Sequence, residues 1–464
     1  MFEKATYSNR RQMLREKVGN GLILLLTNGE SPMNYRDNTY RYRQDSTFLY
    51  FFGLDTPGLE GVLDAESGEE ILFGDEITLD DIIWSGPQAS LKDRAGSVGV
   101  QSVRPRSELG PYLREAMTKG RRVHFLPPYR DEQRKRIEEL LGVKGEWAEI
   151  HLSTKLISAV VDLRSVKEPQ EIEEIEKALA TTRKMHLAAM AMAKPGVWER
   201  EIAGRVEGEA LSGGGAVAFP VILSVHGETL HNHTHRNRLE AGNLLINDSG
   251  AETEAHYSGD ITRTIPVGGS FTKMQREIYD LVLTTQKRAI GAIRPGIPFR
   301  EVHLLAAKTI AEGLSAIGLM KGDPAEAVEQ GAHALFFPHG LGHMMGLDVH
   351  DMENLGESYV GYGPKWQRSR QFGLAALRMA RELEKGFVVT VEPGLYFIPA
   401  LIDQWKREKR LEAFIDYKVV EKYKAFGGIR IEDDVLVTEG GCRILGEPIP
   451  KEPKELEEIV GRGL

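Results

Sequence analysis

The sequence predicts two domains of mixed helix and strand: an α/β domain over residues 1–165, then a larger α+β domain over 166–464 built from two related halves. Three observations predict this. At 464 residues the chain exceeds what one typical hydrophobic core supports. Short apolar strands alternate with amphipathic helices through the first 160 residues. And KPGVWEREI (194–202) returns as RPGIPFREV (294–302), each copy following a helix and opening the next one after a Pro-Gly turn.

In the first domain GLILLLTN, FLYFFGL, GVLDAESGEEILFG and RRVHFLPP read as strands, the third as a hairpin turning on Ser67–Gly68. SELGPYLREAM and DEQRKRIEELLG carry helical spacing. From Val166 the character changes. KEPQEIEEIEKALATTRKMHLAAMAMA predicts a long helix with Pro169 in its first turn, an apolar face of Ile172, Ile175 and Leu179, and an end at KPG. HNHTH (231–235) has the period of a strand, with its three imidazoles on one face; His233 and His235 read as polar surface residues. NLLINDSGAETEAHYSGDITRTIPV (243–267) reads as two strands joined by a loop around Glu254.

Composition narrows the function. A hydrophobic fraction of 41% with 27% charged residues is that of a globular domain, and a net charge of −9 argues against nucleic acid or an anionic membrane as partner. The single cysteine, Cys442, excludes an internal disulfide framework and suits a reducing compartment. No apolar run reaches membrane-spanning length, and the N-terminus lacks the apolar stretch of a secretory signal, so a cytoplasmic protein is expected.

The chemistry lies in acids embedded in apolar strands. A hairpin over 243–267 brings Asp248 and Asp260 face to face, where like charges repel unless a cation lies between them. Glu392 interrupts FVVTVEPGLYFI, and Glu432 interrupts GGIRIEDDVLV, so each half contributes a pair. PHGLGHMMGLDVHD (338–351) adds His339, His343 and His350. The first two are four residues apart, a metal-gripping spacing on a helix, yet the glutamate that normally accompanies it is missing. Four carboxylates with one imidazole make a mostly oxygen donor set of two-metal character. Such a set favours Mn²⁺, Mg²⁺ or Ca²⁺, leaves Co²⁺, Fe²⁺ and Zn²⁺ open, and serves hydrolysis by activating water and polarising a carbonyl.

DSGAETEAHYSGDITRT, PHGLGHMMGLDVHD, TVEPGLYF and GIRIEDD, in this order, resemble the metal-dependent Xaa-Pro peptidases, aminopeptidase P and prolidase, of pita-bread fold. YRQDSTFLYFFG (42–53) resembles the aminopeptidase P-type N-terminal domain, so the likeness spans nearly the whole chain. The resemblance implies a catalytic domain of two pseudo-symmetric halves and two divalent ions, Mn²⁺ first, with Co²⁺ or Zn²⁺ as alternatives. It implies five ligands: Asp248, Asp260, His343, Glu392 and Glu432, with Asp260 and Glu432 shared between the ions. It implies His339 as a hydrogen-bonding residue of the site and His350 as a contact of the substrate carbonyl that helps move protons. Glu392 would also take a proton from the attacking water, Arg430 would support the ligands, and His231 would contact substrate.

Two departures from the family pattern stand out. Gly259 intervenes in YSGD, which predicts a β-bulge re-aiming Asp260. A long insertion at 352–386 ends in LRMARELEKG, similar to prolidases, where an arginine matching Arg378 holds the carboxylate of a short substrate; otherwise Arg378 is a helix-surface residue. The expected function is removal of the N-terminal residue from peptides with proline second, by a homodimer or higher homo-oligomer. Xaa-Pro dipeptide cleavage is the alternative, and a non-catalytic pita-bread binding module the remote one.

Overall fold

The computed structural model describes residues 2–143 and 152–462. It divides into one compact unit of Met1–Arg164 with Glu353–Tyr359, and a second of Ser165–Met352 with Val360–Leu464. In the first unit, Leu22–Leu26 lies inside a five-stranded sheet, antiparallel to Glu60–Asp64 and parallel to Val123–His124. Its unbroken apolar run follows from having both faces covered. Leu109, Leu113, Ile137 and Leu140, from the expected helices Leu109–Thr118 and Asp131–Leu141, pack into that core. Gly68 takes up φ 80° in the turn of the predicted hairpin.

One element differs. FLYFFGL is not a strand; Ser46–Phe52 is a helix with Asp45 accepting from the Phe48 amide at 2.9 Å and Gly53 closing it at φ 64°. All seven residues of the helix are buried, so no hydrophobic period marks it, and the caps decide.

In the second unit the repeat is visible bond by bond. Gly196 donates to the Leu239 carbonyl and Gly296 to that of Leu383, each at 2.8 Å. Leu239 returns to Val197 as Leu383 does to Ile297, and Glu199 pairs with Asn237 as Phe299 does with Arg381. Both glycines have positive φ, and helices Glu199–Ser212 and Phe299–Ala316 follow. The predicted long helix runs Pro169–Met192 with Pro169 in its first turn.

Strands Leu244–Ser249 and Ile261–Pro266 form the expected hairpin. Asp248 is paired with Thr262 rather than Asp260, so the two aspartates are diagonal neighbours instead of face to face. The expected bulge at Gly259 is absent: the bridge Glu252–Ser258 continues the register of the strands without a shift. Gly259 lies close against the long helix. A Cβ there would lie 3.0 Å from Leu179 and 3.1 Å from Thr182 on the long helix, and one at Gly250 would lie 1.7 Å from the Gly259 carbonyl oxygen. In the other half, Val388–Val391 pairs with Asp433–Val437 and Gly394–Tyr396 with Gly428–Arg430, in one register. Glu392 and Glu432 fall opposite each other in the break between these ladders.

Close approach across the first hairpin makes Gly250→Ala cost about 3 kcal/mol through overpacking. Gly208→Ala, in open space on helix Glu199–Ser212, gains about 0.5–1 kcal/mol from helix propensity. Denaturant midpoints of the two variants check both signs.

Candidate metal centre

Period-two geometry brings the acids together. On each strand, residues two apart share a face, so Asp260 and Thr262 point one way, as do Arg430, Glu432 and Asp434. Asp260, His343 and Glu432, all buried, each offer one donor atom, and these atoms lie within 4.8 Å of one another. Glu392 borders the group, its Oε1 3.7 Å from His343 Nε2, and Asp260 Oδ2 is 3.5 Å from the same nitrogen. Asp248 lines the same cleft with its Oδ2 bound by Arg430 at 2.5 Å.

The PHGLGHMMGLDVHD segment is not a helix. His343 is fixed in an extended stretch, where Thr390 donates to its carbonyl at 3.0 Å and its own amide donates to Thr390 Oγ1 at 3.1 Å. A Cβ at Gly342 would fall 2.0 Å from the Thr390 carbonyl oxygen, so only glycine lets these strands meet. The His350 ring lies parallel to that of His343, 3.7 Å away at 14°. His339 stands apart, 2.9 Å from the Tyr396 hydroxyl and 3.8 Å from Glu392.

A cavity of about 320 Å³ opens over this group within the second unit. Its wall includes every sequence-predicted residue: His231, Asp248, Asp260, His339, His343, His350, Arg378, Glu392, Arg430 and Glu432. HNHTH is a loop rather than a strand, because its rings turn back on the neighbouring strand: His233 Nδ1 is 3.2 Å from the Val221 carbonyl and His235 Nδ1 is 3.0 Å from that of Leu223. His233 is exposed, as expected, and also lines the cavity. Arg378 is on no helix; it follows the short turn Leu374–Ala376, and Gly340 packs against the Leu377 and Arg378 backbone.

Four functional positions went unmarked in the sequence: Thr262, Thr390, Tyr396 and Asp434. Thr262 donates to Glu432 Oε2 at 2.6 Å and accepts from Arg430 Nε at 3.1 Å. Arg430 also donates to Tyr396 Oη at 2.8 Å, which joins Asp248, Tyr396 and His339 into one chain. Asp434 accepts from the Asp260 amide at 3.0 Å. Each lies two or four residues from an identified acid, so the alternation of a strand was the available signal.

Electrostatics define what the group needs. Burial pushes Asp248 up to about 6 against the pull of Arg430. Burial, with Asp260 and Asp248 nearby, lifts Glu392 to about 7 although His343 and Arg430 oppose it. Glu432 is driven well above the carboxylate range by burial and then by Asp260, Glu392 and Asp248. Burial lowers the His343 imidazole, but the hydrogen bond to Asp260 and the charge of Glu392 outweigh it and raise the group to about 9. Burial and Arg430 hold His339 down at about 3, so that ring is neutral. Crowded carboxylates that resist ionisation, with the buried Asp260 Oδ1 lacking a partner among the described residues, fit a divalent cation.

Metal-dependent hydrolysis is the chemistry of this donor set, and the chain belongs to metallopeptidase family M24, whose model matches residues 173–439. The model of the aminopeptidase P N-terminal domain matches residues 7–124. A "Probable Xaa-Pro aminopeptidase" of Fusarium vanettenii is 33% identical over 97% of this chain and 94% of its own length. The Escherichia coli Xaa-Pro aminopeptidase is 31% identical over 99% and 98%, and the human Xaa-Pro dipeptidase 29% over 98% and 92%. Zinc-substituted E. coli aminopeptidase P in complex with product superposes with a TM-score of 0.81 at 30% identity, covering 99% of this chain and 98% of that one.

Metal binding requires the ligands deprotonated; at pH 7 His343 carries a proton and Glu392 is about half protonated, while burial and the neighbouring acids raise Glu432. Loading chelator-stripped protein with Mn²⁺ at pH 7 therefore releases more than one proton per site, and affinity rises with pH up to about 9. Calorimetry in two buffers of different ionisation enthalpy measures the release; fewer than one proton contradicts this charge state.

Proposed function

We propose that this chain is an Xaa-Pro aminopeptidase, a metal-dependent exopeptidase that releases the N-terminal residue from peptides with proline second. The observation that carries the reading is the Asp260–His343–Glu432 group at the base of a cleft that also holds His350 and Arg378. Proline justifies a dedicated enzyme, because its tertiary amide has no N–H and its ring alters the geometry of the scissile bond.

Asp248, Asp260, His343, Glu392 and Glu432 would hold two ions, Mn²⁺ first because the donors are mostly hard oxygens. When bound, such ions lower the pKa of water and polarise the scissile carbonyl. The protein's own groups supply the rest. Glu392, poised near neutrality, accepts the proton of the attacking water at its carboxylate. Glu392 then returns that proton to the leaving proline nitrogen, while His350, stacked on His343, would contact the substrate carbonyl and assist the transfer. His231 lines the cleft and contacts the substrate. Arg430 and Tyr396 hold Asp248 and His339 in place. Phe219, Pro220, Ile222, Leu230 and Val349 give the cleft an apolar flank suited to a proline ring. A cytoplasmic site of action accords with the single cysteine.

One observation favours a second reading, Xaa-Pro dipeptide cleavage. Arg378 lines the cleft, where its guanidinium would bind the carboxylate of a two-residue substrate bidentately.

Restoring Mn²⁺ to stripped protein and following release of the first residue from Xaa-Pro and Xaa-Pro-Yaa-Zaa separates the readings. Cleavage of the longer peptide is expected; cleavage of the dipeptide alone makes the protein a dipeptidase, and cleavage of neither overturns both. Glu392→Gln is expected to lower kcat about 10²–10⁴-fold. Arg378→Met weakens dipeptide cleavage about 10–100-fold if it binds the carboxylate, and leaves the tetrapeptide unaffected.

A further inference from the structure

Behind the stacked imidazoles lies a buried ion pair that none of these roles uses. Lys167 Nζ donates to Asp351 Oδ2 at 2.9 Å, and both side chains are only 1% exposed. Asp351 directly follows His350. Its Oδ1 accepts from the Asp348 amide at 3.3 Å, and its own amide donates to the Met344 carbonyl at 2.9 Å. The loop from His343 to His350 is thereby closed on itself at both ends. Lys167 is anchored from the other side, its amide donating to the Gly386 carbonyl at 2.8 Å.

The loop is shaped around this pair. A Cβ at Gly346 would fall 2.7 Å from both Asp351 Oδ2 and Lys167 Cε, so the glycine marks where the two charged groups press into the backbone. The Gly346 carbonyl in turn accepts from Ser258 at 2.9 Å, on the hairpin that carries Asp260. Burying two charges costs desolvation that an apolar pair of similar volume would not. What the charges add is direction: the two oxygens of one carboxylate hold a lysine and a backbone amide at fixed angles.

We propose that the Lys167–Asp351 pair is a positioning device that holds the His350 imidazole parallel to His343, and so sets turnover rather than substrate affinity. The inference rests on the role assigned to His350 above. Asp351 and Lys167 do not touch the cleft. They act on the imidazole through the backbone at 350–351, and a displacement of about 1 Å at a reacting group costs on the order of 10²-fold in rate.

The test uses Asp351→Asn, which keeps an oxygen acceptor and the volume but removes the charge. K167M/D351L serves as a second variant, replacing both members of the pair by apolar groups. In Zn²⁺-loaded protein with labelled histidine, the ring-current-shifted signals of His343 and His350 are expected to move in both variants while the melting curve stays cooperative. With Mn²⁺, kcat is expected to fall about 10–100-fold with KM within about twofold. In a His350→Ala background the same substitutions are expected to cost less than about twofold, because the pair acts through that ring. Unmoved ring signals in a folded variant, or losses that add to that of His350→Ala, overturn the inference. If the wild-type protein cleaves no Xaa-Pro peptide but the ring signals move as expected, the exopeptidase reading fails and the positioning role stands.

Discussion

The mutual repulsion of buried carboxylates is the constraint on which this structure turns. Asp248, Asp260, Glu392 and Glu432 converge in a low-dielectric cleft, where burial and Asp260 oppose ionisation of Asp248, burial with Asp260 and Asp248 that of Glu392, and burial with the other three acids that of Glu432. Three cationic compensations answer it. Arg430 takes up Asp248, His343 becomes a stronger base beside Asp260, and a divalent cation completes the neutralisation. The long reach of Arg430, from Asp248 through Thr262 to Tyr396, follows from its place two residues before Glu432 on a strand face. A planar guanidinium with several donors can serve all three at once, where a lysine would serve one.

The two halves deliver these acids by different means. In the first, a continuous hairpin makes Asp248 and Asp260 diagonal neighbours. In the second, a break between two ladders of one register sets Glu392 against Glu432. The matched turns at Gly196 and Gly296 fix each half's helices on its strands by the same bonds, so the pseudo-symmetry lies in the scaffold more than in the ligands.

Much of the centre was legible because an acid inside an apolar strand contradicts its surroundings, and such contradictions mark function. The repeated Pro-Gly turn was legible because glycine at positive φ has few substitutes. Residues that obey local rules were harder to read. Thr262, Thr390 and Tyr396 are ordinary strand residues by propensity, and only their spacing from an acid sets them apart. FLYFFGL carried no period because it is buried all round. HNHTH alternates like a strand, yet its rings bond the carbonyls beside them, and no propensity foretells that contact. The extra glycine in YSGD suggested a bulge from the chain alone; what it meets is a helix distant in sequence, which leaves little room for a larger residue.

The glycines that let backbones meet at Gly250, Gly259 and Gly342 tie the strands bearing the acids to their neighbours, while other walls of the cleft are loops. At Gly250 and Gly342 a single added methyl collides with main chain, and at Gly259 it presses on a packed helix, so mutation there is met by loss of stability. The loop walls, HNHTH and the turn before Arg378, have no such ties to strand register. Heritable variation at loop positions other than His231 can therefore alter which peptides enter while the strands that carry the acids stay in register.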